Sequence, residues 1–100
     1  RSSARETATR VVAGALAKQI LKKSGISFIA YTKSIGNIIA KNISLNLTIK
    51  QVESNPVRCP DTLVATDMEN RIKQVKKEGD TLGGVVECRV LNVPIGLGEP

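Results

Sequence analysis

The first 25 residues carry apolar positions at helical spacing. Ser3 and Glu6 stand in the S-x-x-E arrangement of a capping box, which predicts that a helix begins near Ala4. Lys22 suits the negative end of the helix dipole, and Gly25 is the predicted stop. The apolar residues that recur every three or four positions are Ala8, Val11, Val12, Ala15, Leu16, Ile20 and Leu21.

A strand and a second helix are predicted next. Ile26 to Ile35 has the pattern of a strand, which Gly36 and Asn37 interrupt. Residues 54–60 contain two prolines and are predicted to form a loop. Asp61 then caps a helix that ends at Gly79. The apolar stripe of this helix consists of Val64, Met68, Ile72 and Val75.

Two further segments alternate between apolar and polar residues. Thr81 to Val93 predicts a long strand, with Glu87 and Arg89 on a wet face, either solvated or at a subunit contact. Ile43 to Ile49 alternates strictly and predicts a half-buried strand. The buried face predicted for the long strand consists of Val86, Cys88 and Val90.

The order of these elements indicates an α+β fold, with helices packed on one face of an antiparallel or mixed sheet. A length of 100 residues suits one small domain or a segment of a larger one. The chain opens in a polar motif without Met, so we expect an internal segment.

Composition limits the classes of function. The net charge of +6 favours anionic ligands. However, the basic residues are spread out, and neither Phe28 nor Tyr31 lies beside a basic run, which argues against nucleic acid. There is no His, so a zinc site is not expected. Cys59 and Cys88 are predicted either to form a disulfide or, more simply, to remain reduced, buried thiols. No secretory leader or membrane-spanning helix is predicted, because no apolar run approaches about 18 residues.

The densest polar cluster is residues 1–7, Arg-Ser-Ser-Ala-Arg-Glu-Thr. Two guanidinium groups and two serine hydroxyls at a helix N-terminus predict recognition of an anion, since Arg donates bidentate hydrogen bonds to phosphate or carboxylate. Serine nucleophilic catalysis is not indicated, because no general base stands beside Ser2 or Ser3. The alternative is ordinary helix capping, with Arg1 and Arg5 on a solvated face.

Two other motifs favour structural roles. Residues 55–61, Asn-Pro-Val-Arg-Cys-Pro-Asp, are predicted to form a rigid turn before a helix cap, although Arg58 would be able to reach an anion. Residues 79–84, Gly-Asp-Thr-Leu-Gly-Gly, open a strand and lack the Gly-Lys-Ser/Thr of a phosphate-binding loop, so they predict a turn with close backbone packing.

Together these motifs resemble chorismate synthase. The resemblance covers residues 1–7, 10–15, 55–61, 79–87 and 93–100, in that order, and is weakest over residues 34–50. At residues 43–49, where the alternation predicts a strand, the family tends to have a connector. It implies a β-α-β sandwich, a homotetramer, and a 1,4-elimination of phosphate from 5-enolpyruvylshikimate 3-phosphate in the shikimate pathway, with reduced FMN.

The resemblance also assigns roles to residues. Arg1, Ser2 and Ser3 would lie against FMN, and Ser3 and Arg5 would bind the anionic groups of the substrate. Some family members also reduce their flavin with NADPH. The cytoplasm, or the plastid of a plant or alga, is the expected location.

Two consequences and two alternatives follow. No catalytic residue is expected in this chain, because the two histidines that the resemblance implies have no counterpart, and the isolated chain should therefore be inactive. The first alternative is a non-catalytic module that binds anions or nucleic acid. The second is a purely structural piece of an assembly.

Overall fold

The fold comes from a computed structural model, which describes residues 4–96. The elements are α1 (Ala4–Lys22), β1 (Ser27–Ile35), β2 (Ile38–Ile39), α2 (Ile49–Val52), α3 (Thr62–Lys77) and β3 (Gly84–Leu91). Within residues 4–96 the three strands form one sheet, in the order β2-β1-β3, and α3 packs against β2. This arrangement confirms the predicted α+β class.

Helix α1 ends as the sequence predicts. Gly25 has a φ of 83°, which only glycine adopts without strain. The amides of Gly25 and Ile26 donate to the carbonyls of Lys22 and Leu21, at 3.0 and 3.1 Å. This pair of hydrogen bonds is a Schellman motif, and it satisfies carbonyls that the helix end leaves without partners. The predicted cap at Ser3 lies outside the described residues.

Strand β2 was not predicted. It pairs antiparallel with β1, so that Ile35 lies opposite Ile38 and Ser34 opposite Ile39. Gly36 and Asn37, which were predicted only to interrupt a strand, form the two-residue turn of this hairpin. A Gly-Asn pair between apolar residues is a known hairpin signal, so the sequence did contain the information.

Strand β3 runs antiparallel to β1. The amide of Gly36, just after β1, donates to the carbonyl of Gly83, just before β3, at 2.8 Å. Tyr31, earlier in β1, contacts Glu87, later in β3. Strand β3 is also shorter than the predicted Thr81–Val93: it begins at Gly84, and it ends at Leu91 because a left-handed Asn92 (φ 62°) and Pro94 follow it.

The predicted buried face of β3 is wrong, whereas Glu87 on the predicted wet face is exposed, as expected. Val86 is 71% exposed, and Cys88 and Val90 are also exposed. Arg89, predicted to be solvated or at a subunit contact, is half-buried and lies with Glu87 against Tyr31. Alternation within a strand identifies its two faces, but the elements that cover each face decide which one is buried.

The strand predicted for Ile43 to Ile49 is also wrong. Residues 43–48 are irregular, and α2 begins at Ile49. Thr48 and Gln51 form a reciprocal capping box: the Thr48 hydroxyl accepts from the Gln51 amide at 3.3 Å, and the Gln51 side chain accepts from the Thr48 amide at 2.9 Å. The T-x-x-Q pattern of Thr48 and Gln51 indicates a helix start here, but the alternation of the preceding residues favoured a strand.

Two apolar clusters stabilise residues 29–89. The first contains Ala40, Cys59, Ala65 and Met68, and it joins α3 to the hairpin. The second contains Ile29, Tyr31 and Val52, and it joins β1 to α2. In α3 the predicted stripe is buried at Met68 and Val75 and half-buried at Val64, whereas Ile72 is exposed.

The described chain divides into two compact units. One consists of residues 4–28 and 90–96, and it contains α1, none of whose residues is buried. The other is residues 29–89, which carry the two apolar clusters. No helix of residues 4–96 is long and apolar enough to cross a membrane.

Candidate functional site

Arg5 is the one predicted site residue that the structure describes. It lies in the first turn of α1 and its side chain is exposed. The other three predicted residues, Arg1, Ser2 and Ser3, lie outside residues 4–96.

Arg5 borders an open groove of about 440 Å³ along one side of α1. Glu6, Thr9 and Arg10 also line it, because positions i, i+1, i+4 and i+5 share one side of a helix. The Glu6 carboxylate lies 3.5 Å from the Arg10 guanidinium. The Thr9 hydroxyl donates to the carbonyl of Arg5 at 3.0 Å, which leaves the Arg5 side chain outside this contact.

Of the two arginines along this groove, Arg10 forms an ion pair and Arg5 does not, among residues 4–96. Glu6 offsets the charge of Arg10, whereas Arg5 makes no ion pair with any residue from 4 to 96. A guanidinium is always protonated and carries five N–H donors in a fixed plane. Arg5 is thus able to hold a carboxylate or phosphate. Arg10 is a second cation that lines the groove, and the sequence analysis gave it no role. Its i, i+4 spacing from Glu6 was the sequence signal that would have placed the two on one side of the helix.

Residues 55–61 form the rigid turn that the sequence predicts. The Asn55 side chain makes two hydrogen bonds with the backbone of Cys59, accepting from its amide at 3.2 Å and donating to its carbonyl at 2.7 Å. The turn is fixed to β1 by Thr32, whose amide donates to the Arg58 carbonyl at 2.9 Å and whose hydroxyl donates to the Val57 carbonyl at 2.6 Å.

Arg58 adopts a left-handed backbone, with a φ of 57°. Its guanidinium lies 3.9 Å from the Glu53 carboxylate, and both side chains are largely exposed. An anion at Arg58 would therefore compete with Glu53. The geometry favours a structural role for this motif over an anion site.

Asp61 connects three backbone segments. One carboxylate oxygen accepts from the Leu63 amide at 3.1 Å and caps α3, as predicted. The other accepts from the amides of Lys41 and Asn42, each at 3.1 Å. Burial raises the pKa of this carboxyl, but the three backbone N–H groups outweigh burial and bring the pKa below its ordinary value.

Tyr31 forms a contact that the sequence did not reveal. Its hydroxyl donates to the Glu87 carboxylate, and the Arg89 guanidinium lies 5.3 Å from the centre of its ring. Arg89 also donates to the Ser44 carbonyl at 2.6 Å. Burial and the bond to Glu87 raise the pKa of Tyr31, against an opposing effect of Arg89.

Both cysteines are free thiols. Cys59 is buried, as expected, and burial raises the pKa of its thiol. Cys88 is exposed, so the expectation that both thiols are buried is wrong for Cys88. The reason is the exposed face of β3 described above.

Comparisons with known proteins agree along the whole chain. The sequence model of a family described as chorismate synthase matches residues 1–100. The chorismate synthase of Christiangramia forsetii is 54% identical over 100 residues, and that of Synechocystis sp. is 55% identical over 101 residues. Each alignment covers 100% of this chain and 28% of the relative. The chain therefore spans little more than a quarter of the length of these relatives.

The fold gives the same answer. A solved crystal structure of chorismate synthase matches with a TM-score of 0.70 and 33% sequence identity, over 94% of this chain and 31% of that one. The likeness thus extends through nearly all the residues described above. By sequence over its full length and by fold, this chain belongs to the chorismate synthase family.

Proposed function

We propose that these residues are one segment of an enzyme that makes chorismate. The reaction is a 1,4-elimination, in which 5-enolpyruvylshikimate 3-phosphate loses phosphate and a ring proton. The observation that carries the proposal is an identity of 54% to a chorismate synthase across every position of the chain.

Arg5 is proposed to bind the substrate, together with Ser3. The substrate carries a phosphate and two carboxylates, and a guanidinium matches either group with paired hydrogen bonds. Negative charge grows on the phosphate as it leaves, and a fixed cation beside it would lower the barrier. The exposed position of Arg5 beside a groove supports this role.

Arg1, Ser2 and Ser3 are proposed to hold FMN. The donor chemistry of this end of α1 fits such a group, because Arg5 and Arg10 line the adjacent groove and only one carboxylate, Glu6, lines it with them. When bound, reduced FMN would lend an electron transiently to the substrate, with no net oxidation. The chain's residues would fix the position of both anions. Some family members draw on NADPH to reduce their flavin.

The remaining parts of the proposal concern assembly and location. As the resemblance implies, the complete enzyme would be a homotetramer that acts on a small molecule in the cytoplasm or a plastid. The chain contains no His, so it lacks the imidazole groups expected to donate protons. The isolated 100 residues should accordingly form no chorismate.

A chimera tests this proposal directly. The matching 100 residues of the Christiangramia forsetii enzyme would be replaced with this chain, and chorismate formation would be measured with reduced FMN and substrate. We expect turnover within about tenfold of the parent, since ground-state and transition-state contacts are retained. The 100-residue chain assayed alone serves as the inactive comparison.

Either of two results would refute the proposal. One is a folded chimera that binds neither FMN nor substrate. The other is measurable chorismate formation by the 100-residue chain alone. Tight, salt-sensitive binding of DNA by the folded chimera, without any effect on flavin fluorescence, would instead support the alternative of a nucleic-acid module.

A further inference from the structure

We draw no further inference here: the strongest candidate, the side-chain cluster of Tyr31, Glu87 and Arg89 between β1 and β3, is held together by contacts among its own members and with the Ser44 carbonyl, and nothing in the structure of residues 4–96 points to a ligand or partner for it.

Discussion

At the scale of single residues, Asp61 is a buried carboxylate that connects three backbone segments. Its two oxygens accept from the amides of Leu63, Lys41 and Asn42. Asp61→Asn leaves one side-chain oxygen to cap α3, but its NH₂ group would then face the backbone N–H groups of Lys41 and Asn42, which are donors themselves. We expect a loss of about 2–4 kcal/mol in the free energy of unfolding, from chemical denaturation. Asp67→Asn, exposed on the same helix, is the control and should change little.

The pKa of Asp61 predicts acid sensitivity. The folded-state pKa lies below the value of an unfolded chain, about 3.9. The carboxylate therefore stabilises the fold above that pH, and this stability is lost as the pH falls toward the folded pKa. The free energy of unfolding, measured from neutral pH downward, should drop more steeply in the wild type than in Asp61→Asn. Parallel curves would show that other carboxylates cause the acid loss.

At the scale of elements, two adjacent glycines differ in how closely other atoms pack against them: Gly84 has close neighbours and Gly83 has none. A Cβ on Gly84 would lie 2.9 Å from the Ser34 carbonyl oxygen and 3.1 Å from Ile35, whereas one on Gly83 meets nothing within 4 Å. Gly84→Ala should force β3 away from β1 and cost about 1–3 kcal/mol of unfolding free energy. Gly83→Ala should be nearly neutral. Equal effects would mean that the strands do not approach as closely as described.

Elements with local signals were predicted well. The predicted stops Gly25 and Gly79 follow the last turns of α1 and α3 with positive φ, and Asp61 caps α3. These signals are readable from sequence because caps depend on residues a few positions apart. The buried face of β3 was mispredicted, because alternation within a strand does not show which elements cover it. The contact between Glu87 and Tyr31, for example, joins residues 56 positions apart. Residues 43–49 alternate like a strand, but a strand forms only where a neighbouring strand offers an edge to pair with. Whether such an edge exists depends on the whole fold and not on the local sequence.

At the scale of the whole molecule, sequence motifs predicted the family, and the structure showed the groove beside Arg5 and the contacts of Tyr31. Arg5 was predicted as an anion ligand because arginine at a helix N-terminus has that chemistry. The Glu6–Arg10 pair was readable from its i, i+4 spacing, whereas the groove beside Arg5 is seen only in the structure. Tyr31 with Glu87 and Arg89 could not be predicted, because neither spacing nor composition brings β1 next to β3.

Arg5 is proposed to hold a negatively charged group of the substrate. Replacing Arg5 with Ala in the chimeric enzyme is the most direct measurement of this role. We expect kcat/KM to fall about a hundredfold or more, because a charged donor to the developing phosphate is lost, while the melting temperature stays the same. Arg71→Ala, at an exposed position of α3, is the matched control and should leave kcat/KM unchanged. Unaltered kcat/KM in Arg5→Ala would contradict the claim and leave Arg5 as a solvated side chain.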